Sequence, residues 1–362
     1  MQSSVPSVNL PKAEKYFDYA ATTPLDPRVL DAMLPWFSED FGNAHSAHAW
    51  GQKANAAVMR SRMAIAKACG VDPMQVIFTS GATEANNWAM MNAQRPAFSP
   101  FEHSAVREPA LARGGKPLGN HGWSLDPPGE DADWCGVMVI CNETGAILEP
   151  PTCSVPLHRD ATQAVGKMCI AEEPGDTFAI SGHKCFGPKG VGALIYRGDI
   201  PPAPMIRGGG QELGVRGGTL NVPAIVGFGH AVCLAIEEAP ARLAQATELR
   251  SVLLAELEGL ADFHLNDAPR QSPFIVSISF AGIEGATLVL DADFEGYGIS
   301  SGPACSSGVT KASPVLLALG FSDELARGTI RISFGPWNTK EAAAGLGKAL
   351  RRTLERHRSR GR

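Results

Sequence analysis

Lys184 lies in a segment, residues 181–192, whose composition suits covalent chemistry. The segment is rich in Gly and Pro and lies between two short apolar runs at 178–180 and 193–196, which predicts a strand, a turn and a second strand. Lys184 then lies at a rigid junction, beside His183. Its amine can form a Schiff base with a carbonyl substrate or with pyridoxal phosphate if the site lowers its pKa. A solvated turn lysine is the alternative that this segment alone leaves open.

The turn at 79–84 lies between a predicted strand at 75–79 and a predicted helix at 83–93. Backbone N–H groups at such a helix start, together with the helix dipole, can hold an anion, and the hydroxyl of Thr83 adds a donor. Phosphate binding is one interpretation of this turn, and simple capping of the helix is the other.

Asp160, His103 and Asn142 are further polar residues at positions suited to chemistry. The carboxylate of Asp160 can keep the nitrogen of a pyridine ring protonated if it lies at a strand end beneath the ring, and otherwise it caps the next turn. The imidazole of His103 can stack on an aromatic cofactor and move protons near neutral pH, although a lone histidine is more often structural. Asn142 follows a predicted strand at 136–140, at the end where an open α/β sheet usually presents its ligands.

Cys305 lies among small, polar and flexible residues at 299–308. Such surroundings favour an exposed and reactive thiol, whereas most free cysteines pack in a core. The chain has eight cysteines but no Cys-x-x-Cys pair and no Cys/His grouping at zinc-ligand spacing, so no metal site is expected.

The overall composition is that of an ordinary globular protein. The chain has 362 residues, 44% of them apolar and 19% charged, with a formal net charge of −5. This length suits one large domain with a smaller companion. Because the only cationic cluster is the tail at 351–362, neither nucleic acid nor membrane is expected as a main partner. The first residues lack the pattern of a signal peptide and no apolar run approaches the roughly 18 residues needed to span a bilayer, which predicts a cytoplasmic protein.

The apolar runs predict an α/β fold in the first part of the chain. The predicted strands lack hydrophobic/polar alternation, which favours a mainly parallel sheet covered by helices on both faces. The strands are predicted at 75–79, 136–140, 177–180 and 192–196, and the main helices at 55–69, 83–93, 224–238, 240–260 and 339–356.

The pattern changes near residue 245. The runs at 274–280 and 329–334 alternate apolar with polar residues, as half-exposed strands do. We therefore predict two domains: a large α/β domain at 17–245, and a smaller α+β domain formed by 1–16 and 246–362, which carries Cys305.

Taken together, these motifs resemble the cysteine desulfurases, the NifS/IscS-like group within the class V branch of fold-type I pyridoxal-phosphate enzymes. The resemblance covers nearly the whole chain, and the shared order and spacing of the motifs make it specific. The motifs lie at 16–24, 42–43, 80–84, 102–106, 142–143, 160–163, 181–184, 208–212, 216–221, 301–305 and 331–335. The resemblance implies a mainly parallel seven-stranded sheet flanked by helices in the large domain.

The resemblance also implies a role for each matched residue, with pyridoxal 5′-phosphate as cofactor. Lys184 is the lysine bonded to the cofactor and the base that shuttles the Cα proton. His103 stacks on the pyridine ring and takes part in proton transfer, Asp160 pairs with the ring nitrogen, and Cys305 is the nucleophile that accepts sulfur. The other matches are Ala82, Thr83, Ser181 and His183 at the phosphate, Thr219 at the phosphate of a second subunit, Gln163 at the phenolic oxygen, Asn142 at cofactor and substrate carboxylate, and Arg331 at that carboxylate.

The activity that the resemblance implies is the desulfuration of L-cysteine by a homodimer. The products are L-alanine and a persulfide on Cys305, which passes its sulfur to an acceptor or scaffold protein for iron–sulfur cluster assembly. A selenocysteine lyase or another class V enzyme, such as a small amino-acid transaminase, is an alternative because it would share Lys184, Asp160 and Arg331. A non-enzymatic scaffold with the same fold is a further alternative.

The chain departs from the family pattern in a few places. Cys141 precedes Asn142 where relatives often have a second Asn, Pro303 precedes Cys305, and Gly335 is followed by Pro and Trp instead of Arg and Phe. The chain is also shorter than typical members between His103 and Asn142. Its residues 114–133 are rich in Gly, Pro and Asp, which predicts a loop there.

Overall fold

A computed structural model describes residues 13–199, 201–260, 263–301 and 312–360. Cys305 and Pro303 lie outside the described residues. Helices α1 to α11 are, in chain order, Pro27–Met33, Pro35–Ser38, Ala49–Cys69, Ala82–Met91, Ser104–Ala112, Val222–Glu237, Ala239–Ala255, Gly285–Phe294, Pro314–Ala318, Asp323–Arg327 and Lys340–Arg360. Strands β1 to β12 are Val76–Thr79, Pro96–Phe98, Lys116–Pro117, Asn120–His121, Ser124–Leu125, Trp134–Gly136, Leu157–Asp160, Thr177–Ser181, Gly192–Tyr196, Phe263–Leu265, Ile275–Phe280 and Thr329–Ser333.

A seven-stranded sheet in the order β1-β9-β8-β7-β6-β2-β3 forms the centre of the large part of the chain. The pairs from β8 through β7, β6 and β2 to β3 are parallel, whereas β9 runs antiparallel to both β8 and β1. Helices α3 and α6 pack on one face, and α4 and α5 pack on the other. Every residue of β8 and β9 is buried, which explains the lack of alternation in these strands. The predicted α/β fold is confirmed.

Two local predictions for the large part were wrong. The strand predicted at 136–140 is assigned only as β6, Trp134–Gly136. Its continuation stays bonded to β7, since the amides of Val137 and Val139 donate to the carbonyls of His158 and Asp160. Residues 114–133 are not a plain loop, because they form the edge strand β3 and the antiparallel hairpin β4–β5.

The predicted half-exposed strands of the smaller part are buried on both faces. Strands β10, β11 and β12 form an antiparallel sheet, and all residues of β11 and β12 are buried. The apolar side chains pack with helices α7, α8 and α11. The polar side chains bond to other buried groups: Ser279 pairs with Thr329 at 2.6 Å, and Ser333 accepts the amide of Ala20 at 2.9 Å. Alternation therefore marks a polar, buried face here instead of a solvated one.

The hydrophobic side chains divide into clusters along the chain. One cluster extends from Val29 to Ala235, and another extends from Ala246 to Leu354 and includes Phe17 and Ala20. This division supports a domain boundary near residue 245, and the domain ranges stay a prediction.

Helix α6 lies along α3, and a side chain at Gly229 would come within 2.6 Å of Ser61, so the two helices pack closely. No single helix in the described part of the chain is long and apolar enough to cross a membrane. Taken together, α6 and α7 have the length and apolar composition of a membrane span, but the two helices are bent by 67° where they join.

Candidate active site

A cleft of about 700 Å³ lies where β1, β7 and β8 end. Its volume falls within the range of roughly 300–1,000 Å³ that is usual for small-molecule pockets. The predicted site residues that line it are Ala82, Thr83, His103, Asn142, Asp160, Gln163, Ser181, His183, Lys184 and Arg331. Thr219 is exposed and does not line this cleft, and Cys305 lies outside the described residues.

Lys184 reaches the cleft from a single 3-10 turn, Gly182–Lys184, directly after β8. The turn packs tightly, because a side chain at Gly182 would lie 2.8 Å from the carbonyl of Pro188. The Lys184 amine donates to the carbonyls of Ala20 at 2.7 Å and Ala21 at 2.8 Å. Burial, followed by the positive charge of Arg331, lowers the pKa of Lys184 to about 8, so a sizeable fraction of the amine is unprotonated near neutral pH.

The turn before α4 presents backbone donors to the cleft. Helix α4 begins after Gly81, and no side chain caps its first N–H groups. Strand β9 lies against this turn, since a side chain at Gly192 would come within 2.7 Å of Gly81. Ser181 and His183 line the same cleft as Thr83, and the Ser181 hydroxyl would lie 4.0 Å from a side chain at Gly81. Uncapped N–H groups at a helix start favour an anion, such as phosphate.

Asp160 is the last residue of β7 and belongs to a buried chain of hydrogen bonds. Its Oδ1 accepts the amide of Thr162 at 2.9 Å, and its Oδ2 accepts Nδ2 of Asn86 at 2.7 Å. The Oδ1 of Asn86 contacts Nε2 of His158 at 2.9 Å, and Nδ1 of His158 contacts the hydroxyl of Thr177 at 2.9 Å. Burial lowers the pKa of His158 to about 4, so the ring is neutral at pH 7. Because Asn86 points its oxygen at His158, the ring carries its proton on Nε2.

His103 is the N-cap residue of α5, and its Nδ1 accepts the amide of Ala105 at 3.1 Å. A neutral ring in this arrangement carries its proton on Nε2. The pKa of His103 is lowered, chiefly by burial, with Lys184 and Arg107 acting in the same direction and Asp160 opposing. His103 therefore presents a neutral N–H donor at the edge of the cleft.

Arg331, on β12, also lines the cleft. Its Nη1 donates to the carbonyl of Asn142 at 2.9 Å, and its Nη2 donates to Oδ1 of Asp18 at 2.7 Å. Its Nε is buried and has no partner among the described residues. A guanidinium that lines a cleft suits a carboxylate ligand.

Gln163 is buried, and both ends of its amide are bonded. Its Nε2 donates to the carbonyl of Ala20 at 2.9 Å, and its Oε1 accepts the amine of Lys167 at 2.8 Å. The carbonyl of Ala20 is therefore shared by Gln163 and Lys184.

Sequence reasoning missed several residues of this site. Asn86 follows Ala82 by four positions on α4, so helical spacing places it on the same face. His158 precedes Asp160 by two positions on β7, so strand periodicity places it on the same side. For Asp18 and Lys167, no helical or strand spacing from a predicted site residue indicated a place in the site.

Comparison with known proteins agrees with this geometry. The family model for class V aminotransferases matches residues 15–108 and 134–346. The chain is 38% identical over 381 residues to the cysteine desulfurase IscS of Dictyoglomus turgidum, covering 96% of each chain. It is 36% identical to the cysteine desulfurase IscS 1 of Archaeoglobus fulgidus, covering 95% of this chain and 98% of the relative.

Two solved structures are also similar. A NifS-like protein superposes with a TM-score of 0.84 at 31% identity, covering 94% of this chain and 99% of that one. A structure of SspA in complex with cysteine gives a TM-score of 0.73 at 30% identity, covering 90% of this chain and 100% of that one. The internal gap in the family match, residues 109–133, contains the edge strand β3 and the hairpin β4–β5.

Proposed function

From the premise that the chain belongs to the class V aminotransferase family and is a cysteine desulfurase, we propose that its cleft binds pyridoxal 5′-phosphate and L-cysteine. One observation carries this proposal. The Lys184 amine, with a pKa lowered to about 8, lies in the same cleft as the Asp160 carboxylate and the uncapped start of α4. An amine, a carboxylate and an anion site in one cleft are the contacts that a phosphorylated pyridine aldehyde requires.

The residues present fit this cofactor. The phosphate suits the free N–H groups of the α4 start, with Thr83, Ser181 and His183 around them. Asp160 suits the ring nitrogen, since Asn86 and Thr162 hold its carboxylate in place. The ring of His103 lines the same cleft and suits stacking, and Gln163 has one amide N–H beyond the one bonded to Ala20 to offer an oxygen of the ring. When bound, the cofactor would supply an electron sink for charge that develops at the substrate Cα.

Lys184 acts as the base in this proposal. Its amine, unprotonated in part at neutral pH, removes the proton from the substrate Cα. The carbonyls of Ala20 and Ala21 orient the amine while it is free. His103 has Nδ1 occupied by its own helix, so Nε2 is the nitrogen that exchanges protons with the substrate.

Arg331 and Asn142 bind the substrate carboxylate. The guanidinium lines the cleft and already has one carboxylate partner in Asp18, at 2.7 Å. Asp18 thereby holds the guanidinium in place beside the cleft. An α-carboxylate fixed at this point places Cα of L-cysteine toward Lys184, across the same cleft.

Cys305 is the proposed sulfur acceptor, and the described residues on either side of 302–311 support this role. Ser300 exchanges backbone hydrogen bonds with Arg331, at 3.1 and 2.6 Å. Ser313 donates its hydroxyl to Glu143, which follows Asn142 in the chain. The thiolate of Cys305 forms an S–S bond with the substrate sulfur as the Cβ–S bond breaks. The electron pair remains with Cβ, which takes up a proton, Lys184 returns a proton to Cα, and the carbon skeleton leaves as L-alanine.

A homodimer is the proposed assembly. Five large apolar side chains are exposed between α1 and the start of α3, namely Leu30, Leu34, Phe37, Phe41 and Trp50, and Phe41 is 69% exposed. Exposed apolar clusters of this kind mark interaction surfaces. Thr219 is exposed and outside the cleft of its own chain, which supports a role at the phosphate of a second subunit. We further propose a cytoplasmic location, and transfer of the sulfur to an acceptor or scaffold protein for iron–sulfur cluster assembly.

Incubation of the purified protein with L-cysteine tests the proposed function. L-alanine and a persulfide on the peptide that contains Cys305 are both expected, the first by chromatography and the second by mass spectrometry. Lys184→Ala is expected to abolish both products. Cys305→Ala is expected to keep the visible absorbance of the bound cofactor and to lose the persulfide, whereas Cys233→Ala, at an exposed thiol, serves as the unaffected control.

Two outcomes would contradict the assignment. Sulfide release by Cys305→Ala at the wild-type rate would remove that thiol from the reaction, and alanine formation by Lys184→Ala would remove the lysine. L-selenocysteine is assayed in parallel. Alanine from selenocysteine alone would favour a selenocysteine lyase.

A further inference from the structure

Lys167 is a second amine close to the cleft, and no step of the proposed reaction uses it. It lies four positions after Gln163 and lines a small cavity of about 30 Å³ that Lys184 also borders. Its amine donates to Oε1 of Gln163 at 2.8 Å and lies 5.8 Å from the centre of the Phe274 ring. Burial lowers the pKa of Lys167 to about 7. Keeping an amine in these surroundings costs free energy that an apolar side chain of the same length would not.

The contact with Lys167 determines which way the Gln163 amide faces. Gln163 is 3% exposed, so water does not compensate a lost hydrogen bond. In the observed orientation Oε1 meets the Lys167 amine and Nε2 meets the carbonyl of Ala20. The reversed orientation would bring Oε1 against the carbonyl oxygen of Ala20, with no proton between them.

The orientation of the Gln163 amide matters because the carbonyl of Ala20, to which it donates, also contacts Lys184. This carbonyl accepts the Lys184 amine at 2.7 Å, so the Gln163 amide nitrogen and the reacting amine surround one oxygen atom. Nε2 of Gln163 has two N–H bonds and uses one of them for Ala20. The other N–H is left for an acceptor in the cleft.

We propose that Lys167 is a positioning residue, which holds Gln163 so that its amide N–H, and not its oxygen, faces the phenolic oxygen of the cofactor. This inference rests on the proposed function, since it requires pyridoxal phosphate in the cleft. Lys167 does not touch the cofactor in this role. It acts only through Gln163.

A double-mutant cycle on cofactor affinity tests this role. The dissociation constant of pyridoxal phosphate is measured on cofactor-free protein by fluorescence quenching, for wild type, Lys167→Met, Gln163→Leu and the double variant. Loss of one hydrogen bond, about 1 kcal/mol, predicts a roughly fivefold weaker affinity for Lys167→Met. Because Lys167 acts through Gln163, the double variant is expected to bind no more weakly than Gln163→Leu alone. Lys67→Met removes the same charge at an exposed site on α3 and is expected to leave the affinity unchanged.

Thermal unfolding of each variant separates positioning from folding. Lys167→Met is expected to unfold close to the wild-type temperature, because removal of the desolvated amine and loss of the partner of Gln163 Oε1 act in opposite directions. If Lys167→Met does not fold, Gln163→Glu tests the other half of the inference, the need for an amide N–H, since a carboxylate keeps the bond to Lys167 but has no N–H for the cleft or for Ala20. Gln163→Glu is then expected to weaken cofactor binding as Gln163→Leu does.

Three results would overturn the inference: unchanged affinity in Lys167→Met, additive losses in the double variant, or wild-type affinity in Gln163→Glu. The proposed function fails differently, because wild type would then bind no pyridoxal phosphate, or Lys184→Ala would bind it as wild type does.

Discussion

The acidity of the Lys184 amine is the property on which its role as base depends. Its pKa is lowered from 10.5 to about 8, first by burial and then by Arg331. At pH 7 an amine with a pKa of 8 is about 9% unprotonated, against about 0.03% at a pKa of 10.5, a gain of roughly 300-fold in the reactive form. We predict that Arg331→Met raises the pKa of Lys184, because a positive charge that disfavours the protonated amine is removed. Each unit of increase lowers the unprotonated fraction at pH 7 about tenfold.

Competitive labelling measures this pKa directly. Cofactor-free protein is treated with trace acetic anhydride between pH 6 and 11, and acetylation of the Lys184 peptide is quantified by mass spectrometry against a lysine-containing reference peptide. The labelling midpoint is expected near pH 8 in wild type and higher in Arg331→Met. Asp18→Asn is the variant of opposite sign, since Asp18 raises the pKa of Lys184 and its loss lowers it. A wild-type labelling midpoint near pH 10.5 would show that the pKa of Lys184 is not lowered. A downward shift of the midpoint in Arg331→Met would show that Arg331 does not lower it.

Three further predictions concern the same cleft. Asn86→Ala removes a charge-assisted hydrogen bond to Asp160, about 1.5–3 kcal/mol, and should weaken pyridoxal phosphate binding by about tenfold or more in a titration of cofactor-free protein; an unchanged affinity would contradict the role of the buried chain. Lys184→Met should stabilise cofactor-free protein in thermal melts. Since the pKa of Lys184 in the folded protein lies below its value in the unfolded chain, the stabilisation by Lys184→Met is complete below about pH 8 and shrinks as the pH rises toward 10.5. A stabilisation that increases with pH would contradict this prediction. Mixed dimers of Lys184→Ala and Thr219→Ala chains should contain one cleft with both native residues, so cofactor affinity at half of the sites should return to the wild-type value; no recovery would place Thr219 outside the partner's cleft.

Elements with strong local signals agree with their sequence-based predictions. Strand β9 was predicted at 192–196 and is Gly192–Tyr196, because an apolar run there ends at clear turn residues. Helix α3 ends at Cys69 as predicted, since Gly70 adopts the left-handed conformation, with φ of 66°, that terminates helices. Its start at Ala49 lies before the predicted start, because the first turn is capped by His48, an unusual cap.

The predictions that failed depended on contacts between distant parts of the chain. The alternation in β11 and β12 indicated solvent on one face, but their polar side chains bond to Asn266 and to the N-terminal segment at Ala20. Within residues 114–133, which are rich in Gly and Pro, β3 pairs in parallel with β2 at the edge of the large sheet. Neither partner is visible in the local sequence.

In the candidate site, too, residues with local sequence signals were predicted, and residues whose roles depend on distant partners were not. Lys184, Asp160 and His103 were identified from their residue types and from motifs in a shared order, and the structure brings all three to one cleft. Lys167 and Asp18 were missed because their roles arise only from partners, Gln163 and Arg331, that the fold brings beside them.

The proposed activity requires Lys184 to be the amine that holds the cofactor. Reduction of the pyridoxal-phosphate-loaded protein with borohydride, followed by peptide mapping, identifies the amine that is bonded to the cofactor. We predict a phosphopyridoxyl group on Lys184 alone. A label on Lys167, the other buried amine beside the cleft, or on Lys189 at its rim, would contradict the account.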